Sequence, residues 1–103
     1  RFAATIIWLS KKNLENNERF GLKCATQYSM CTIERIAERI DSSSLKAIEA
    51  DASSLANLEV AEVIIKAKKE IAVRRFDDIQ ELGRFVLVRD DNTCAGGIVT
   101  ELL

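Results

Sequence analysis

Histidine is absent from this sequence. That removes the commonest proton shuttle at neutral pH, and with it catalysis by a nucleophile paired to an imidazole base. Glycine is scarce: Gly21, Gly83, Gly96 and Gly97 are all there is, and none opens a loop closed by Lys and Ser or Thr. A backbone cradle for phosphates is therefore not encoded here. No apolar stretch approaches the roughly 18 residues that span a bilayer, and the opening RFAATIIWLS lacks a basic leader and cleavage site. No membrane is expected, and the expected location is the cytoplasm. Neither charge sign dominates, with 15 basic against 16 acidic residues and a net charge of -1. No sequence-wide attraction to nucleic acid follows, and 6% aromatic residues provide few stacking platforms.

What is present fits one domain. A chain of 103 residues buries roughly two-thirds of its unfolded surface, enough for one core. It begins at Arg1 without an initiating Met, so residues 1–103 read as a single domain and a piece of a longer protein. Cys24, Cys31 and Cys94 are odd in number, widely spaced and without His partners. They read as reduced packing residues, with no metal site and no disulfide expected.

Phe2, Ala4, Ile6 and Trp8 alternate along a β-branched and aromatic run, which predicts a first strand over residues 2–9. SKKNLENNER reads as a surface loop, and Phe20, Leu22 and Cys24 resume the alternation in a second strand. In MCTIERIAERI, residues 30–40, the spacing of Met30, Ile33, Ile36, Ala37 and Ile40 favours a helix, while Cys31 and Ile33 also fit a strand that shifts register. DSSSLKAIEADASSLAN suits helix and turn alike. Ala61, Val63, Ile65 and Ala67 alternate again, and with Ile71 and Val73 they predict one or two strands. FDDIQELG is a connection, and GRFVLVRD, DDNT and CAGGIVTELL read as a closing hairpin.

Few residues suggest chemistry. Asp77–Asp78 and Asp90–Asp91 fall in turns, where Asp caps backbone groups. Gly96–Gly97 predicts a bulge or a close approach of two backbones. Lys66, Lys68, Lys69, Arg74 and Arg75 form the one basic cluster, readable as a solvated strand edge or as a contact for an acidic surface.

Residues 71–103 carry a resemblance. Ile71, Ala72, Val73 and Phe76, then Leu82-Gly83-Arg84-Phe85, then Ala95-Gly96-Gly97-Ile98-Val99 resemble the end of the third domain of elongation-factor-1-alpha-type GTPases. Upstream, RFGLKCAT (19–26), CTIERIAERID (31–41) and SLANLEVAEVIIKAKKEIAV (54–73) are most similar to the large GTPase subunits of bacterial sulfate adenylyltransferases. The resemblance implies an all-β fold, a closed six-stranded antiparallel β-barrel of the translation-factor third-domain type. It turns residues 30–40 into a long bent strand, against their helical periodicity. It also implies a parent enzyme that binds GTP and Mg in an upstream GTPase domain, a middle barrel domain, and a small adenylyl-transfer subunit as partner. The fragment itself is expected to have no catalytic residue, cofactor or metal. Arg74, Arg75, Phe76 and Arg84 are the expected partner contacts. The alternative is the third domain of a translation elongation or release factor, touching tRNA or the ribosome.

Overall fold

The computed structural model describes residues 1–103 apart from positions 16, 17, 42 and 45 and the side chain of Glu15. These positions fall inside the two segments read from sequence as loop and as helix or turn. In chain order the elements are β1 (Phe2–Trp8), β2 (Leu14–Glu15), β3 (Arg19–Cys24), β4 (Gln27–Ile40), β5 (Ala47–Ala52), β6 (Ser54–Leu55), β7 (Val60–Ala67), α1 (Gln80–Gly83), β8 (Arg84–Arg89) and β9 (Asn92–Leu102).

The order β3-β8-β9-β1-β7-β4, with β4 returning to pair with β3, closes an antiparallel barrel of six strands. Closure satisfies every ladder and leaves the ring without an edge. β5 adds a seventh strand that hangs from β4 outside the ring, and β2 pairs with β6 as a separate small sheet.

The alternating residues point inward as the sequence predicts. Phe2, Ala4, Ile6 and Trp8 from β1 meet Phe20, Leu22 and Cys24 from β3, Ala61, Val63 and Ile65 from β7, and Phe85 and Leu87 from β8. Each such large side chain stabilises the fold by ~1.5–3 kcal/mol on burial. Edge-to-face pairs order the interior, Phe2 against Phe85 and Trp8 against Phe20, both at 5.7 Å. The Trp8 indole N–H donates to the Lys12 carbonyl at 2.9 Å, which satisfies its one polar atom.

Residues 30–40 are strand, as the resemblance implies and their periodicity does not. The reason is visible in the register. β4 slips against β7 between Ile33 and Arg35 and again between Ile36 and Glu38. Each bulge inserts a residue and flips the inward face. Cys31 and Ile33 are inward before the first slip and Ile36 after it, so a strand acquires a spacing of three that imitates a helix. The residues of β5, Ala47–Ala52, are also strand rather than helix. Ala47 to Asp51 are all exposed on the hanging strand β5, so no buried face imposes a strand alternation there.

Two further corrections concern loops. The predicted surface loop over residues 10–19 contains β2, whose Leu14 is fully buried opposite Leu55. Ile71 and Val73 pack against the core but belong to no strand, so β7 is the single strand of its region. The closing hairpin is present: β8 and β9 pair through a two-residue turn in which Asp90 (φ 51) and Asp91 (φ 65) are both left-handed. That conformation at both central positions is the type I′ turn that matches strand twist.

Candidate interaction surface

The expected contact residues Arg74, Arg75, Phe76 and Arg84 are gathered by one connection. After β7 the chain runs along the barrel, and Gln27 grips it at Ala72, accepting from its N–H at 2.7 Å and donating to its carbonyl at 2.9 Å. The Arg74 N–H then donates to the Leu82 carbonyl and the Phe76 N–H to the Val99 carbonyl, both at 2.9 Å. These two bonds fold the connection back on α1 and tie it to β9. Gly83 makes the fold-back possible, because a Cβ there would stand 2.2 Å from Phe76 Cα and 2.9 Å from the Arg74 carbonyl oxygen. Arg84 follows immediately at the start of β8. Arg74, Arg75 and Arg84 are exposed, and Phe76 is half-buried. The Arg75–Asp78 pair at 3.8 Å is open to solvent and stabilises little.

The basic run does not stay together. β7 lies between β1 and β4, so Lys66 is no edge residue. It stands with Lys68 at a groove of about 330 Å³ that is also lined by Arg19, Met30 and Thr32. The Lys68 and Lys69 N–H groups are fixed to β4, one on the Met30 carbonyl at 2.7 Å and the other on Ser29 Oγ at 3.0 Å. Arg19 and Met30 were not singled out by sequence reasoning. The inward alternation of Phe20, Leu22 and Cys24 held the signal, since it turns Arg19 outward.

A second surface feature is apolar. Ile7, Val60 and Ile98 flank a shallow groove of about 310 Å³ on the outer wall made by β7, β1 and β9. Gly96 lies in it, and a Cβ there would meet nothing within 4 Å. Leu9, just after β1, and Leu58, just before β7, are also exposed. The groove is the apolar candidate for a contact surface. The close backbone approach expected of the glycine pair belongs to Gly97 alone, where a Cβ would lie 3.0 Å from the Thr5 carbonyl oxygen and 2.7 Å from side-chain atoms of both Ile6 and Phe85.

The profile described as GTP-eEF1A C-terminal domain-like matches residues 1–100. The chain belongs to that family. It is 29% identical over 103 residues to elongation factor 1-alpha of Plasmodium falciparum, covering 99% of this chain and 23% of that protein. It is 26% identical over 102 residues to sulfate adenylyltransferase subunit 1 of Tolumonas auensis, covering 97% of this chain and 21% of the relative. The crystal structure of sup35 complexed with GDP superposes with a TM-score of 0.90 over 99% of this chain and 25% of that one, at 18% identity. The barrel thus spans between a fifth and a quarter of the proteins it resembles.

The remaining candidates are placed inside this family barrel. Asp77 and Asp78 lie in the turn before α1, and Asp90 and Asp91 form the β8–β9 turn, as turn residues would, while the N-cap of α1 is Ile79 with no side-chain capping bond. Cys24, Cys31 and Cys94 are buried and unpaired. Burial pushes the Cys31 thiol up to about 12, and the neighbouring Cys94 adds to the shift. Burial likewise raises Cys94 to about 11, against the pull of the Arg89 cation. Both are held as thiols, unreactive at neutral pH.

Proposed function

We propose that this barrel is a non-catalytic docking domain of a larger GTPase, and that its parent is the GTPase subunit of a sulfate adenylyltransferase. On this reading the parent couples GTP hydrolysis to formation of adenosine 5'-phosphosulfate from ATP and sulfate in the cytoplasm. GTP and Mg are bound by the upstream GTPase domain, and adenylyl transfer takes place on a separate small subunit. The observation that carries the docking role is the apolar groove of Ile7, Val60 and Ile98 over the open Gly96. Burying it is favourable at ~25 cal/mol per Å². The upstream GTPase and middle barrel domains supply the surface to cover it. The connection bearing Arg74, Arg75, Phe76 and Arg84 then faces the small subunit. The absence of His and of a phosphate loop supports a role without chemistry of its own. The likeness to sulfate adenylyltransferase subunit 1 along nearly the whole chain supports the choice of parent.

Elongation factor 1-alpha is as close in sequence, so the translation-factor reading is the one to test against. The full-length parent, wild type and with Arg74→Glu or Arg75→Glu, is presented to the small adenylyl-transfer subunit and to tRNA at several salt concentrations. The expected result is a stable complex with the subunit, weakened by either reversal, and little affinity for tRNA near physiological salt. Strong tRNA binding that falls steeply with salt, as counterions re-condense on the phosphates, together with no subunit complex, overturns the assignment in favour of a translation factor.

A further inference from the structure

The groove where the barrel leaves Lys66 and Lys68 has a composition that the docking role above does not use. It lies on another stretch of wall, across β3, β4 and β7. The register aligns Arg19 with Thr32 and Thr32 with Lys66, so two cations flank one hydroxyl in a single row. Met30 stands opposite Gly21 in the next outward row, and Lys68 is bonded to its carbonyl. Met30 is 39% exposed and Tyr28, the next outward residue along β4, is 53% exposed. Gly21 seats Tyr28, because a Cβ there would fall 2.5 Å from its hydroxyl. The Tyr28 hydroxyl is in turn aimed at the Met30 sulfur at 3.6 Å.

One groove gathers Arg19, Lys66 and Lys68. None of the three forms an ion pair among the described residues, whereas Arg1, Arg35, Arg39, Arg75 and Arg89 each do. The carboxylate that does feel Lys66, that of Glu34, is already engaged by the Arg1 guanidinium at 2.6 Å. Three uncompensated cations around an exposed, adaptable thioether are suited to a ligand carrying both negative charge and an apolar side chain.

We infer that the trough bounded by Arg19, Lys66 and Lys68 and floored by Met30 docks an acidic peptide segment, with one apolar side chain on Met30 and flanking carboxylates on the three cations. Nucleic acid fits less well. It asks for several stacking rings and a long cationic track, and this wall offers one tyrosine and three cations. The proposal does not depend on which GTPase the parent is.

The test is fluorescence anisotropy with the full protein that carries this chain. The probe is a labelled peptide in which one Leu is flanked by two Glu on each side. The comparators are the same peptide with Ser for Leu, the same peptide with Lys for Glu, and an oligouridylate. The glutamate–leucine probe is expected to bind saturably. Lys66→Glu with Lys68→Glu is expected to weaken it at least tenfold, and Lys66→Gln with Lys68→Gln by less. Met30→Ser, or Ser for Leu in the probe, is expected to weaken it severalfold. All these side chains are exposed, so each variant should retain the wild-type circular dichroism. Absence of saturable binding overturns the proposal. So does affinity that survives both Lys double variants, or tighter binding of the oligouridylate that the Lys reversals abolish.

Discussion

Replacing Gly83 with alanine tests how the connection before β8 is held. The new Cβ would stand 2.2 Å from Phe76 Cα, 2.5 Å from Phe76 N and 2.9 Å from the Arg74 carbonyl oxygen. All three are backbone atoms, so no rotamer change relieves the contact. Reaching the 3.4 Å of an ordinary contact requires Phe76 Cα to retreat by about 1.2 Å. A retreat of that size breaks or badly stretches the Arg74–Leu82 and Phe76–Val99 backbone bonds, now 2.9 Å each. Each bond contributes ~1 kcal/mol net, and the overpacking itself costs ~1–3 kcal/mol. Alanine's better helix propensity offsets ~1 kcal/mol. The expected loss is therefore ~2–4 kcal/mol, and at ~4–8 °C per kcal/mol for a domain near this size the Tm should fall by roughly 8–32 °C. Urea unfolding followed by circular dichroism measures it, with Gly96→Ala as the matched control. Gly96 faces open space, so its alanine should stay within ~0.5 kcal/mol of wild type or gain slightly. A loss below ~1 kcal/mol at position 83, or an equal loss at position 96, would refute the steric argument.

Asp91→Gly relieves a left-handed aspartate in the β8–β9 turn (φ 65) and should raise the urea midpoint by the equivalent of ~0.5–1 kcal/mol. Arg89 packs its guanidinium over Trp8 and Phe20 at 5.3 and 5.4 Å while its Nε donates to Glu18 at 2.7 Å. Arg89→Ala should therefore cost ~2–3 kcal/mol, with a shift in Trp8 emission, and Arg89→Lys should recover only part because an ammonium cannot stack and fork at once. Because the Cys31 and Cys94 thiols are raised to about 12 and 11, the folded state disfavours their ionisation. Their contribution to stability is full below pH 9 and should be lost as pH rises from about 9 towards those values, with a flatter decline in a Cys31→Val, Cys94→Ala variant. Iodoacetamide at pH 8 should leave the native cysteines largely unmodified and label all three after unfolding in guanidinium.

The sequence displayed the barrel wherever a strand keeps one face inward. β1, β3 and β7 were legible because Phe2 to Trp8, Phe20 to Cys24 and Ala61 to Ile65 alternate without interruption. β4 was not legible from periodicity, because its bulges beside Arg35 and Glu38 convert a period of two into local threes. The family resemblance supplied what the pattern concealed. β5 was illegible for a different reason: outside the ring Ala47 to Asp51 are all exposed, and only Ala52 at its end is buried. Of the candidate contact residues, Arg74, Arg75 and Phe76 lie on one connection and Arg84 opens the strand after it, while the basic run is split by the turn of the chain after β7, sending Lys66 and Lys68 to a wall shared with Arg19 and Met30. Charge clustering in sequence does not survive a change of strand, whereas outward alternation on neighbouring strands does.

The position of β1 between β7 and β9 has a consequence for biosynthesis. β1, the earliest strand of this ring to be synthesised, has as its partners residues 60–67 and 92–102, so it remains unsatisfied until nearly the whole domain has been made. At the usual elongation rate of ~5–20 residues per second that wait is on the order of ten seconds, during which Phe2, Ile6 and Trp8 have no barrel interior to enter. β9 acts as a keystone: until it slots in, β8 and β1 each present an open edge, and open edges invite pairing with other chains. A nascent chain halted before Asn92 would therefore be sticky rather than merely short, a natural client for chaperones that hold hydrophobic strands apart.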